Sequence, residues 1–305
     1  MEPSTHDSAP AARDLCNDIS LMRRLSYWNR ARLAPRPPSA EWRGELRHDH
    51  AMALIEGDVI EQMRSAVAHE AAAAPRDEDG FAAWFEALEQ SGPGQGDALF
   101  PWLAEHATRE EMRWFLEQEV AGEAGFDDLV ALTQIKMPER PKLELARNYW
   151  DEMGRGNAKG MHGPMLARLA EAFDIEAEIE TTLAAPLALS VTMIGFATNR
   201  RYAYHAIGAL GVIELTAPGR ALQVAAGLKR LGYPPAVRRY FDLHATLDVR
   251  HAEAWVREVL RPLVAEDASC ARFIAEGALM RLACGARCFD AYRAHLWGAD
   301  ALPAS

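Results

Sequence analysis

The sequence lacks the features that mark several large classes of protein. No apolar run approaches about 18 residues, so the sequence predicts no membrane-spanning helix. Basic residues are outnumbered: 33 lysines and arginines face 44 aspartates and glutamates, for a formal charge of −11. This balance argues against a nucleic-acid partner and against attraction to an anionic membrane. The N-terminus lacks the basic and then apolar layout of a signal peptide, so we expect a cytoplasmic protein.

Cysteine is scarce, and the positions of Cys16, Cys270, Cys284 and Cys288 suggest no disulfide framework. Cys284 and Cys288 are four residues apart and would share one face of a helix, but no third thiolate lies nearby to complete a soft-metal site. We therefore interpret all four cysteines as reduced thiols, in the core or on the surface.

Alternation of apolar and polar residues, which is typical of a half-buried strand, is also nearly absent. From Glu41 onward, apolar residues instead recur every three or four positions, and this pattern predicts an all-α protein. The predicted helices cover residues 41–72, 80–90, 108–135, 141–153, 161–173, 176–197, 200–215, 219–230, 235–262 and 267–297. Clusters of glycine and proline separate them, including TAPG at 216–219, and Thr108 followed by Glu111 predicts a capping box.

The pattern predicts one domain with two flanking segments. Residues 1–40 are rich in proline, alanine, serine and arginine, and the prolines of ARLAPRPPSA exclude regular helix there. We expect residues 1–40 to form a partly irregular N-terminal arm on the surface, with a short helix around Asp18 to Asn29. No linker divides residues 41–298, which predicts a single helical domain, and residues 299–305 form a C-terminal tail.

The most informative segment is a polar stripe on one predicted helix. His244, Asp248 and His251 stand at i, i+4 and i+7, so their side chains point within about 60° of one another. Two imidazoles and a carboxylate suit a borderline divalent metal such as iron, manganese or zinc. The alternative is a solvated polar stripe, but Phe241 and Trp255 flank it, and polar groups beside such bulk are costly unless something neutralises them.

Other helices would have to supply the remaining ligands. Glu152 closes a predicted helix and His162 follows after three glycines, so periodicity does not decide whether the two converge or form a helix end and a surface histidine. Glu214 ends a strongly apolar run, where burial raises the pKa of a carboxyl unless a metal or an arginine pairs with it. Glu119 and Glu123 share a helix face; either could point inward, and the other would lie on a solvated acidic face.

Together, these segments resemble the heme-oxygenase-like diiron oxidases and oxygenases, a family also described as iron-containing redox enzymes. The resemblance covers about residues 110–255 and rests on the order and spacing of its motifs. These are a helix with glutamates, the run Trp150-Asp-Glu-Met-Gly-Arg-Gly156 followed by His162, Glu214 thirty residues before His244, and His244-x3-Asp248-x2-His251.

The resemblance implies a heme-oxygenase-like bundle of about seven core helices, with extra helices at the termini. It also implies a set of three imidazoles and four carboxylates that bind two ferrous ions. These ligands are Glu123, Glu152, His162, Glu214, His244, Asp248 and His251, with Glu119 as a substitute for Glu123. Manganese in one of the two sites is an alternative, because ligand type alone does not discriminate.

The family further implies an oxidoreductase that uses O2 as co-substrate and acts on a small molecule such as an amine, an amino acid or a fatty acid. N-oxygenation of an amine is slightly favoured by its frequency in the family, ahead of decarboxylation or C–C cleavage. An external reductant and a homodimer are further expectations from the resemblance.

For substrate contacts, the sequence offers Arg200 or Arg201, which could hold a carboxylate by two hydrogen bonds, and Tyr149, which could line a cavity. The alternatives are a surface arginine pair and a core aromatic residue. Three other functions stay open: a cofactor-free, thiaminase-like protein on the same scaffold, a heme protein that uses His48 or His50, and a non-catalytic interaction protein.

Overall fold

The computed structural model describes residues 13–123 and 125–298, and every regular element in these ranges is a helix. The all-α prediction is confirmed. The α-helices are α1 (Ile19–Leu33), α2 (Trp42–Ala72), α3 (Glu78–Ser91), α4 (Leu99–Glu105), α5 (Arg109–Gly122), α6 (Phe126–Thr133), α7 (Glu139–Glu152), α8 (His162–Ala172), α9 (Ala184–Thr198), α10 (Ala203–Arg230), α11 (Pro235–Trp255), α12 (Arg261–Glu266) and α13 (Cys270–Trp297). Among the described residues, no helix combines the length and apolarity needed to cross a bilayer.

α10 is one helix where the sequence predicts two, over 200–215 and 219–230. The predicted break at TAPG is wrong, because the helix continues through residues 216–219 with Pro218 inside it. Pro218 lacks a backbone N–H, which leaves the carbonyl of Glu214, four residues earlier, without its usual helix partner. The helix continues because it is buried along most of its length against α4, α11 and α13, and this packing outweighs the local cost.

The predicted helix at 108–135 is two helices. α5 begins with the predicted capping box, in which the Thr108 side chain accepts from the N–H of Glu111 and the Glu111 side chain accepts from Thr108. It ends at Gly122, and Gly125 adopts a left-handed φ of 75° just before α6. Glu123 lies in the turn between α5 and α6, where its backbone is extended and not helical. This position matters for the site described below.

The centre of the bundle is the contact of α10 with α11 on one side and α13 on the other. α10 and α13 approach so closely that a Cβ on Gly208 would overlap the carbonyl oxygen of Ile274, and a Cβ on Gly277 would overlap that of His205. Glycine at these two positions therefore sets the spacing of α10 and α13. Apolar side chains around them form the main hydrophobic core.

The described part of the predicted N-terminal arm contains α1, which is longer than the short helix expected there. Asp18 caps the helix by accepting from the N–H of Leu21, and Met22 and Leu25 are fully buried in the main core, where α1 packs against α9. This part of the arm is therefore core rather than surface, because its apolar residues recur at helical spacing. Residues 35–39 are irregular, as the prolines predict, and residues 1–12 and 299–305 lie outside the described ranges.

Candidate metal centre

The segment between α7 and α8 positions two of the predicted ligands. α7 ends at Glu152 and α8 begins at His162. Between them, Gly154 and Gly156 have φ of 60° and 81°, which glycine adopts without strain, and a Cβ on Gly154 would overlap the backbone of Gly160. The glycines therefore permit a turn tight enough to bring Glu152 and His162 into contact, which periodicity alone left undecided.

Glu152, His162 and His244 form a first group, whose ligand atoms all lie within 4.8 Å of one another. His162 Nδ1 is 2.6 Å from Glu152 Oε2 and 3.1 Å from His244 Nε2. His244 Nδ1 is 2.7 Å from the carbonyl oxygen of Tyr240 and must donate to it, so Nε2 is the ring nitrogen left free. Three atoms that carry lone pairs therefore meet, and a cation or a proton must sit among them.

Glu152, Glu214 and His251 form a second group, again with ligand atoms within 4.8 Å of one another. His251 Nδ1 is 3.4 Å from Glu214 Oε2, at an angle that makes no hydrogen bond, and Nε2 is 3.2 Å from Asp151 Oδ2. Glu152 is common to both groups. The structure thus places two adjacent sets of ligand atoms side by side, joined by one carboxylate.

Asp248 lies next to these groups. Its side chain is 3% exposed, and Oδ1 has no hydrogen-bond partner. Burial, with the neighbouring carboxylates of Glu214 and Glu152, raises the pKa of Asp248 to about 10. A carboxyl in this position must either hold a proton or face a cation.

The same electrostatics act on the other ligands. Burial lowers the pKa of His162 and of His244 to about 4, so both imidazoles are neutral. Burial also lowers the pKa of His251, but the carboxylates around it, Glu214 above all, outweigh this effect and raise it to about 9. Burial and the charge of Glu214 hold the pKa of Glu152 well above its ordinary value. The site is thus rich in negative charge and takes up protons where it has no other cation.

This donor set fits a pair of divalent cations. Asp248 Oδ1, His251 Nδ1 and the side-chain oxygen of Asn148 are all buried without a hydrogen-bond partner, and buried polar atoms of this kind normally have one. Neutral imidazoles and clustered carboxylates are ligands that iron, manganese and zinc accept. The two groups that share Glu152 could each hold one ion.

Glu123 and Glu119 lie on the wall of the adjoining cavity, outside both groups. The Glu123 carboxylate accepts from the N–H groups of Gly125 and Phe126 at 3.1 and 3.2 Å, while Glu119 accepts from the Tyr292 hydroxyl at 3.0 Å. Desolvation of the carboxyl groups in the cavity wall raises the pKa of both, although Glu123 as a whole residue is exposed. The charge of Glu123 is among the main causes of the raised pKa of Glu152, whereas the charge of Glu119 is not. Glu123 is therefore the better candidate for the remaining metal ligand.

Three positioning residues were not predicted from the sequence. Asp151 fixes the ring of His251, Asn148 donates to Glu214 Oε1 at 2.5 Å, and Tyr240 provides the carbonyl that orients His244. A signal existed for two of them, since Asn148 is four residues before Glu152 on the same face of α7 and Asp151 directly precedes it.

The ligands open onto a cavity of about 180 Å³. Glu152, Glu214, His244 and Asp248 form part of its wall, and most of the remaining wall is apolar. Representative apolar residues are Phe115, Leu189, Met193, Ile213 and Phe241. Two arginines, Arg220 and Arg281, also line it and were not predicted as functional residues.

The residues predicted as substrate contacts lie away from the cavity. Arg200 donates to the carbonyl of Thr133 at 3.1 Å, and Arg201 pairs with Glu61 at 3.1 Å, so both face neighbouring helices. Tyr149 packs at the edge of the main core, and none of the three lines the cavity. The pair at 200–201 was chosen because it precedes the helix of Glu214, but position along a chain does not show which way a helix end faces.

His48 and His50, the residues that a heme protein would use, lie exposed on α2 and do not line the cavity. All four cysteines are free and buried. Burial raises the pKa of Cys16 to about 11 and those of Cys270 and Cys284 to about 12, so these thiols are protonated and unreactive, in agreement with their interpretation as reduced core residues.

Comparison with known proteins agrees with this description. No curated protein matches the chain. A solved structure from Shewanella denitrificans OS217, described as a domain of unknown function with a heme oxygenase-like fold, is 17% identical, with a TM-score of 0.53 over 74% of this chain and 97% of that one. The fold is therefore heme oxygenase-like. The family described as "iron-containing redox enzyme" matches residues 113–286, more than half of the chain and all of the predicted ligands. The chain belongs to the iron-containing redox enzyme family.

Proposed function

We propose that this protein is a non-heme diiron oxidoreductase that uses O2 to oxidise a small organic molecule. One observation carries the proposal: Glu152 is common to two groups of ligand atoms, Glu152–His162–His244 and Glu152–Glu214–His251. A mononuclear site would need only one such group. Two adjacent groups with a shared carboxylate are what a pair of iron ions requires.

The charge of the site also supports two divalent ions. Glu152, Glu214, Asp248 and Glu123 are four carboxylates, and two ferrous ions carry four positive charges, so the loaded site would be close to neutral. His162 and His244 are neutral and able to ligate, because burial lowers the pKa of each to about 4. When bound, the iron pair would supply the electrons for O2 reduction.

The protein's own residues would hold and orient this centre. Asp151 keeps the ring of His251 with Nδ1 toward Glu214, and the Tyr240 carbonyl keeps Nε2 of His244 toward His162. The apolar wall of the cavity excludes water, which protects a reactive centre from side reactions. We propose N-oxygenation of an amine as the first reaction to test, ahead of oxidative decarboxylation or C–C cleavage, with an external reductant.

The test is an anaerobic Fe(II) titration followed by iron analysis and Mössbauer spectroscopy. We expect two irons per chain that become coupled on oxidation, and a transient visible absorption on mixing with O2 that candidate amines accelerate. His244→Ala should lose iron from the first group, whereas His106→Ala, a change at an exposed histidine, should not. Failure to bind two irons, or unchanged iron content in His244→Ala, would contradict the proposal.

A further inference from the structure

The cavity has a cationic region beyond the metal ligands. Arg220 lies on α10, six residues after Glu214, so its Cα is about 9 Å further along the helix axis. Arg281 comes from α13, which packs against α10. Both side chains form part of the cavity wall, although neither is among the predicted ligands or substrate contacts.

These guanidinium groups have few partners within the protein. Arg281 Nε is buried with no hydrogen-bond partner. Arg220 donates to the hydroxyl of Thr216 at 3.0 Å and otherwise faces the rings of Phe100 and Phe289, at 5.7 to 5.9 Å from their centroids. A guanidinium has five N–H donors, so most of the donor capacity at this wall is available to a ligand.

The neighbouring carboxylate does not neutralise the pair. Glu119 takes its hydrogen bond from the Tyr292 hydroxyl, and two arginines against one carboxylate leave an excess of positive charge. Burial, together with the nearby Arg281, lowers the pKa of Arg220 to about 10, which still keeps it charged at neutral pH. A buried cation whose donors are unfilled is costly, and an anionic ligand would remove that cost.

The rest of the wall restricts what this anion can be. A cavity of about 180 Å³ is comparable to one of about 150 Å³ that holds benzene, so the ligand is small. Residues such as Leu116, Leu189, Val224 and Phe241 give it an apolar surround. Arginine binds a planar carboxylate through two parallel hydrogen bonds, which suits a carboxylic acid with a compact apolar body.

We propose that Arg220 and Arg281 bind the carboxylate of the substrate. The substrate is then a small carboxylic acid whose apolar body spans the cavity and carries the group to be oxidised, an amine in the reaction proposed above, toward Glu214 and the metal ligands. The carboxylate is then held by the protein and not by iron, and oxidation takes place at a position remote from it. The place of oxidation rests on the proposed function, but the binding of the acid does not.

The test measures binding without turnover. Straight-chain and phenyl-substituted acids of increasing length are titrated by calorimetry, each beside its primary amide, into metal-free protein and into zinc-loaded protein. We expect at least one acid to bind in both forms, about tenfold or more tighter than its amide. Arg220→Gln and Arg281→Gln should each weaken acid binding by about tenfold to a hundredfold, since hydrogen bonds to charged groups are of this strength.

Lys229→Gln is the matched control, because it removes one positive charge from an exposed position on the same helix as Arg220. It should leave acid binding unchanged. Arg281→Lys keeps the charge without the paired donors and should retain part of the affinity, which separates binding from any loss of folding. Circular dichroism and melting temperature check the fold of every variant.

Equal affinity for acids and amides, unchanged acid binding in both glutamine variants, or binding that disappears when the metal is removed would each overturn the proposal. The last result would mean that the acid binds the metal directly. These outcomes differ from failure of the diiron assignment, which iron content and Mössbauer spectra measure separately. A protein that binds two irons but does not prefer acids would refute only the arginine site.

Discussion

Glu152→Gln should have opposite effects on the metal-free and the metal-loaded protein. Glu152 is 4% exposed, and burial and the charge of Glu214 hold its pKa well above the ordinary value of 4.5. Without metal, the folded protein therefore holds a proton on this carboxyl more tightly than the unfolded chain does. Glutamine has the same shape and needs no proton, so the substitution should stabilise the metal-free fold.

The size of this effect follows from linkage. Each unit by which folding raises the pKa of Glu152 destabilises the metal-free wild-type fold by about 1.36 kcal/mol at a pH above the raised pKa, and this is the free energy that Glu152→Gln should recover. The sign is the reverse of an ordinary ion-paired carboxyl. A raised folded pKa means that the wild-type fold loses stability as the pH rises above 4.5, so the advantage of Glu152→Gln should grow from pH 5 toward pH 8.

In the presence of metal, wild type should be favoured over Glu152→Gln. Glu152 is a member of both ligand groups, so its loss should weaken both sites, whereas loss of His251 should affect only one. Thermal melts of metal-free protein at several pH values, beside iron analysis after anaerobic loading, measure both effects. We expect Glu152→Gln to melt several degrees higher than wild type without metal and to retain little iron.

Glu139→Gln is the control, since Glu139 begins the same helix and is exposed. It should change neither the melting temperature of the metal-free protein nor the iron content after loading. If Glu152→Gln lowers the melting temperature of the metal-free protein and still binds two irons, Glu152 is a structural residue paired with His162, and the assignment of a shared ligand is refuted.

Two further predictions concern residues around the ligands. Asp151→Asn should weaken metal affinity at the His251 site by about tenfold to a hundredfold, because a neutral amide holds the imidazole ring less firmly than a carboxylate does. An equilibrium titration with Fe(II) or Zn(II) measures this affinity. Unchanged affinity would show that Asp151 only pairs with Arg155 at the surface. Gly277→Ala should destabilise the fold by about 3 kcal/mol or more, because the new Cβ would overlap the His205 carbonyl and force α10 and α13 apart. Chemical denaturation measures the effect. A midpoint equal to that of wild type would show that the two helices are not in such close contact.

Helical periodicity in the sequence was sufficient for the helical class and for the stripe on α11. His244, Asp248 and His251 share a face because the angle between side chains on one helix depends only on their spacing. The capping box at Thr108 was equally predictable, since its hydrogen bonds join residues three apart. The motifs also sufficed for the family, which the comparison confirms.

Tertiary structure decided the features that depend on how separate helices face one another. Periodicity fixes a direction around each helix axis but not which neighbour lies there. Periodicity therefore left open whether Glu152 and His162 meet. The family resemblance implied that Glu152 or Glu214 chelates or bridges the irons, and the structure shows that Glu152 is the residue common to the two groups of ligand atoms.

The same reason explains the errors. A helix end was predicted at Pro218 because proline removes a helix hydrogen bond. Burial of α10 against several helices outweighs the free energy lost with that bond. Arg200 was chosen for its place in the chain, while the guanidinium groups that line the cavity come from Arg220 and Arg281, on two helices whose spacing is set by glycines at their contact. The sequence determines which residue types are available for the site. The packing of α10, α11 and α13 determines which of them lie close together there.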